Sequence, residues 1–345
     1  MNENFLIGTY TQKSSQGIYA VSLDTDEQKL SDVRLVAKSE KPAYLQIDGQ
    51  NHLFAIKQDG DRGGVASYQL KNGQAKLVND VLGAGAPPAY VGLDEKRHLL
   101  FSANYHLATI DVFRISEDGS LTLTDRVTHQ GLTGPRPEQK DGPHCHYADL
   151  TPDGRLIVCD LGMDLLVVYN ISDDGKLTAA SRYHCESGFG TRHLAFHPNH
   201  RIVYVLGELS SKLTVLNYQA KTASFKELQT ISTIPSSWTS HNGAAAIHLS
   251  ADGRFVYVSN RGENTIAVFA VQSDYTLKHI QSISTEGDFP RDFELSSDDC
   301  FLVAGNQNTD NLTLYSRNSE TGLLKKLQDN VHCPEPVCVK RWPNA

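Results

Sequence analysis

The 345-residue chain has no apolar run near the roughly 18 residues that a bilayer-spanning helix needs. Its opening segment Met1–Gly8 has neither a basic stretch nor a long apolar core, so a secretory signal is not expected. The six cysteines, Cys145, Cys159, Cys185, Cys300, Cys333 and Cys338, form no CxxC pair and no framework spacing. They read as reduced thiols in a cytoplasmic protein. A formal charge of −8 gives no electrostatic case for nucleic acid or for an anionic membrane surface. A 3.6-residue apolar period is also missing, so helix should be scarce. No Walker-type loop, HExxH or GxSxG motif occurs, and Gly83-Ala84-Gly85-Ala86 lacks the third glycine and following helix of a dinucleotide site.

What the chain does contain is a repeat. A short apolar strand, a tight turn, a second apolar strand, a polar break and a third strand recur six times. The turns are anchored at Asp48, Asp94, Asp153, Asn199, Asp252 and Asp298, at separations of 46, 59, 46, 53 and 46. The segment Ala245–Val258 aligns without gaps on Arg192–Val205. A repeat of this length with period-two alternation predicts a β-propeller with one blade per repeat. A single blade cannot bury both faces, so all the repeats belong to one domain spanning residues 1–345.

The ends supply a seventh unit. Pro336–Trp342 reads as an innermost strand with nothing after it, whereas Phe5–Tyr10 and Gly17–Val21 read as second and third strands with none before them. Joined, they close the ring and remove its exposed sheet edges. The expected fold is an all-β, seven-bladed propeller with four antiparallel strands per blade.

Register then places a functional face. The start of each first strand and the end of each second strand lie at the same mouth of the central channel. Seven residues before the anchors stand Lys41, Pro87, His146, Arg192, Ala245 and Arg291; nine residues after them stand Lys57, Ala103, Gly162, Glu208, Arg261 and Gln307. One mouth therefore collects His146, Arg192, Arg291, Glu208 and Arg261, with His144 and His193 beside them. Cations, an imidazole and one carboxylate suit an anionic substrate and acid–base chemistry. His193 is expected to point away from Arg192 and to be structural. Glu208 has a second reading as the neutralising partner of the arginines, and His146 one as a channel-lining histidine. The triplet His144-Cys145-His146 suggests a metal site at first sight, but no second cluster with ligand spacing supports it. Neither metal nor organic cofactor is expected.

These residues carry a resemblance. Pro143–Arg155, Gly190–Asn199, Tyr204–Leu209, Ile247–Gly262, Phe289–Phe293 and the opening Ile7–Thr11 resemble the lactonase-type seven-bladed propellers, the bacterial cycloisomerase-like 6-phosphogluconolactonases. The resemblance covers almost the whole chain and implies hydrolysis of a sugar δ-lactone, with 6-phosphogluconolactone of the pentose phosphate pathway as the best-known substrate. It extends to the fungal muconate-lactonising propeller. By motif match, the catalytic His, Arg, Glu and Arg of that enzyme fall on His146 (or His144), Arg192, Glu208 and Arg261. In the mechanism this implies, Glu208 or His146 accepts the proton of an attacking water, Arg261 holds the oxyanion, and the other arginines hold phosphate or hydroxyls. Trp238–Gly243 departs from the family pattern, and His241 within it is a candidate substrate contact, as are His144 and Arg291. The alternatives are a lactonase or cycloisomerase for another anionic lactone, and a non-catalytic propeller that binds a protein partner.

Overall fold

The computed structural model describes residues 2–343. They form 28 strands in seven four-stranded antiparallel sheets. The only helical element among them is the 3-10 turn Pro137–Gln139. Among the described residues no helix is long and apolar enough to cross a membrane.

Five of the six predicted anchors lie in the turn from first to second strand of their blade, and Asp94 ends its first strand, Tyr90–Asp94, at the mouth of that turn; an Asp or Asn side chain there can take the place of a backbone acceptor. Asp48, Asn199, Asp252 and Asp298 each use Oδ1 to accept the backbone N–H two residues on. Second strands such as Leu99–Asn104, Ile202–Gly207 and Phe255–Arg261 are buried throughout. Each is covered on both faces by neighbouring blades, which is why these strands read as apolar runs. The outer strands, such as Leu177–His184, alternate with solvent.

The terminal blade has the predicted order. Pro336–Trp342 is innermost and pairs with Asn2–Thr9, which pairs with Gly17–Asp24 and then Lys29–Lys38. Phe5 stands opposite Arg341 and Ile7 opposite Val339. The carboxylate of Asp292 in the preceding blade accepts the Val339 N–H at 3.0 Å, tying the seam.

One backbone device was not legible beforehand. The ladder between first and second strands shifts register between Cys145 and Tyr147, Thr191 and His193, Ala244 and Ile247, and Pro290 and Asp292. A β-bulge gives one residue no partner and re-aims its side chain. The residues left over are His146, Arg192, Ala245 with Ala246, and Arg291. The register position singled out by the repeat is thus a bulge in four consecutive blades.

Candidate active site

The bulges open onto a pocket of about 390 Å³ at one channel mouth. His146, Glu208, Arg261 and Arg291 line it, together with Lys41, Tyr10, Gln12, Gln58, Tyr105 and His106. Every blade contributes at least one lining residue or its support.

Glu208 organises the floor. Its Oε1 lies 2.9 Å from Arg261 Nη2, and its Oε2 lies 2.8 Å from Arg192 Nε in a close ion pair without hydrogen-bond alignment. Arg192 is only 2% exposed and Arg261 5%. Backbone carbonyls complete the clamp: Arg192 donates to Ala245, and Arg261 Nε donates to Gly243 at 3.0 Å. Arg261 also lies over the Phe289 ring, 5.0 Å from its centroid. Arg192 sits behind the pocket wall rather than in it, because Glu208 stands between.

The charges set the protonation states. Burial pushes the Glu208 carboxyl up, but Arg261, Arg192 and Arg291 outweigh that and hold it below the ordinary carboxylate range. Burial, and then Arg261, push Arg192 down to about 9, still cationic at neutral pH. Burial is also the main reason His146 is held well below the usual imidazole range, with Arg192, Arg291 and Arg261 adding to it. His146 is 4% exposed and its Nδ1 has no hydrogen-bond partner. At neutral pH the site therefore holds a neutral, available imidazole beside an ionised carboxylate whose oxygens both face guanidinium groups.

Of three further histidines, His144 and His241 depart from the expectation. His193 has a structural place outside the pocket lining, as expected. It packs 5.1 Å from His146 and against Tyr44, Tyr90 and Tyr147, which close the channel beneath the pocket. Tyr90 donates to Asp149 at 2.9 Å. His144 stacks flat on Tyr105 at 4.1 Å and lines a neighbouring cavity of about 400 Å³ with Glu138 and Asp141, which shares Tyr105 and His106 with the pocket. His241 is exposed on the loop before Gly243–Leu249 and does not line the pocket. The residues passed over, Lys41, Tyr10, Gln58 and Tyr105, lie at or within two positions of the same registers, so the signal was present but carried no obvious chemistry.

The His144-Cys145-His146 triplet is split, with the two histidines as described and Cys145 turned into the core. Cys145, His129 and Asp160 bring metal-type ligand atoms together. His129 already spends both ring nitrogens, at 2.7 Å from Asp160 Oδ2 and 2.8 Å from the Tyr169 hydroxyl. This buried network explains itself as packing.

Comparison with known proteins agrees with the geometry. The family profile described as "Lactonase, 7-bladed beta-propeller" matches residues 4–341. A Bacillus subtilis protein named 6-phosphogluconolactonase is 41% identical over 340 residues, covering 97% of each chain. A Lactobacillus plantarum crystal structure superposes with a TM-score of 0.98 at 51% identity, over 99% of this chain and 100% of that one. The periplasmic gluconolactonase of Pseudomonas aeruginosa gives 0.93 at 31% identity, over 99% of both. The chain belongs to the seven-bladed β-propeller lactonase family.

Proposed function

We propose that this protein hydrolyses a sugar δ-lactone at the pocket around His146, with 6-phosphogluconolactone as the best-supported substrate. The observation that carries the reading is the neutral, buried His146 beside the Glu208-held guanidinium of Arg261. The Bacillus subtilis relative supports the phosphorylated substrate by its name, and the Pseudomonas aeruginosa neighbour supports a gluconolactone.

Water attacks the lactone carbonyl carbon while the His146 imidazole takes its proton. The carbonyl oxygen becomes an oxyanion, and Arg261 stabilises it. Its Nη1 makes no hydrogen bond among the described residues, whereas Nε and Nη2 are engaged. Collapse of the tetrahedral intermediate breaks the ring C–O bond, and the departing oxygen recovers the proton from His146. The acid formed ionises to a carboxylate and a released proton. Glu208 is a poor base in this setting, since protonating it would leave two buried guanidiniums uncompensated. We assign it the positioning of Arg192 and Arg261.

All six cysteines are free thiols, in keeping with a reducing, cytoplasmic location. The exposed large apolar residues Leu77, Leu107, Leu123, Leu132, Leu228 and Leu323 come from several blades and loops, which gives a partner-binding disc no support. The test is hydrolysis of phosphorylated and unphosphorylated gluconolactones, corrected for spontaneous opening. Acceleration that disappears in His146→Asn supports the reading, and no acceleration by the native protein overturns it.

A further inference from the structure

We propose that Lys41, acting with Arg291, is the specificity-determining residue of the pocket and grips a phosphoryl group at the end of the substrate away from the reacting carbonyl. This rests on the function proposed above.

The pocket and its wall hold four cationic side chains, Arg192, Arg261, Arg291 and Lys41, and one carboxylate, Glu208. Arg192 and Arg261 share Glu208, so their charge is partly compensated inside the protein. Lys41 and Arg291 have no carboxylate within ion-pair range among the described residues. Arg291 lies over the Tyr10 ring at 5.2 Å, a contact that orients a guanidinium without neutralising it. Uncompensated charge therefore runs from Arg291, which also acts on Glu208 and His146, to the Lys41 side of the pocket.

That side is set by ring order. Lys41 precedes the blade that begins with Leu45–Ile47, and Arg291 begins the blade of Pro290–Leu295. The terminal blade lies between them and contributes Tyr10 and Gln12. His146, Glu208 and Arg261 belong to three other blades, Arg261's being the neighbour of Arg291's. A substrate reaching from His146 toward Lys41 thus spans the mouth, with its carbonyl at one end and its anionic group at the other. Gln58, lining the same side, has a buried Oε1 with no donor, suited to a sugar hydroxyl.

Lys41 is held for this task. Its backbone is left-handed, at φ 48°, unusual for a long side chain. The conformation is fixed by the Lys41 N–H donating to Thr11 Oγ1 at 3.1 Å and by the Ala43 N–H donating to the Lys41 carbonyl at 2.7 Å. Its charge is felt locally: burial lowers His106, and His144 and Lys41 lower it further. A phosphoryl dianion, with three acceptor oxygens, matches an ammonium plus a guanidinium better than a single carboxylate does.

The test compares three lactones: 6-phosphoglucono-δ-lactone, glucono-δ-lactone and a lactone bearing a carboxylate in place of the phosphate. The native protein is measured against Lys41→Met, which keeps the apolar stem, and Lys41→Arg, which keeps the charge. Lys41→Met should lower the ratio of kcat/KM between the phosphorylated and neutral lactones by about ten- to a hundredfold, mainly through KM. Lys41→Arg should recover most of that ratio. Equal losses on both lactones, or no loss on either, overturn the role of Lys41 while leaving the lactonase reading intact. A carboxylate lactone as sensitive as the phosphorylated one overturns phosphoryl selection. A native protein that hydrolyses none of the three defeats the lactonase reading, and this inference with it.

Discussion

Glu208→Gln removes one negative charge and keeps the side chain's size. In the native protein that charge faces two guanidiniums, both at least nine-tenths buried, at 2.8 and 2.9 Å. The amide still offers one oxygen, so one arginine keeps an acceptor while the other meets an NH₂ group. Removing one partner from a buried ion pair costs about 3–5 kcal/mol. An unfolding entropy of roughly 2 cal/mol/K per residue then predicts a fall in Tm of about 4–7 °C for a chain of this length. Differential scanning calorimetry measures it directly. Lactone turnover should also fall by about a hundredfold, because Arg261 loses its anchor. The pH dependence of the residual activity separates the roles. If Glu208 only positions, Glu208→Gln keeps the native acid limb. An unchanged Tm would refute the ion-pair argument, and a shifted acid limb would make Glu208 the base.

Three further predictions follow from the same geometry. Since burial and the arginines hold His146 well below the usual imidazole range, kcat/KM should show no loss as pH falls through 6.5; an acid limb at or above that value would contradict a neutral His146 as base. The same depression, shared by His193, favours the unfolded state in acid, because the unfolded imidazoles bind protons that the folded ones refuse. Tm should therefore fall below about pH 6.5. His248 works in the opposite sense: Glu294 and Asp292 overcome the effect of burial and raise it, so its contribution is present in acid and fades as pH rises through its folded value. Replacing both His146 and His193 with Asn should flatten the acid loss, and a loss of unchanged size would refute the assignment. Truncation after Cys333 strips the innermost strand, including the buried Val337, Val339 and Trp342, a loss of about 5 kcal/mol or more before any hydrogen bond is counted. The truncated chain should lack a cooperative melting transition, and a native-like melt would show that the seam is dispensable.

The fold was legible because a propeller writes its period into the chain. The Asp/Asn anchors, the apolar second strands and the two half-repeats at the ends each survive as local patterns. The site was partly legible for the same reason, since His146, Arg291, Glu208 and Arg261 share two registers. What register could not supply was depth. Whether Arg192 reaches the pocket or stands behind Glu208 depends on how far the bulge turns it. Bulges leave no mark in hydrophobic alternation. His144 was misplaced because its stacking partner, Tyr105, comes from another blade, a contact that no single repeat encodes.

The central claim is that His146 takes the proton from water in lactone hydrolysis. The most direct measurement is the initial rate of 6-phosphoglucono-δ-lactone hydrolysis by native protein and by His146→Asn, each with the spontaneous rate subtracted and each checked for folding by its melting curve. The account predicts clear acceleration by the native protein and a loss of about a hundredfold or more in a folded His146→Asn. A folded His146→Asn that retains native activity would contradict it.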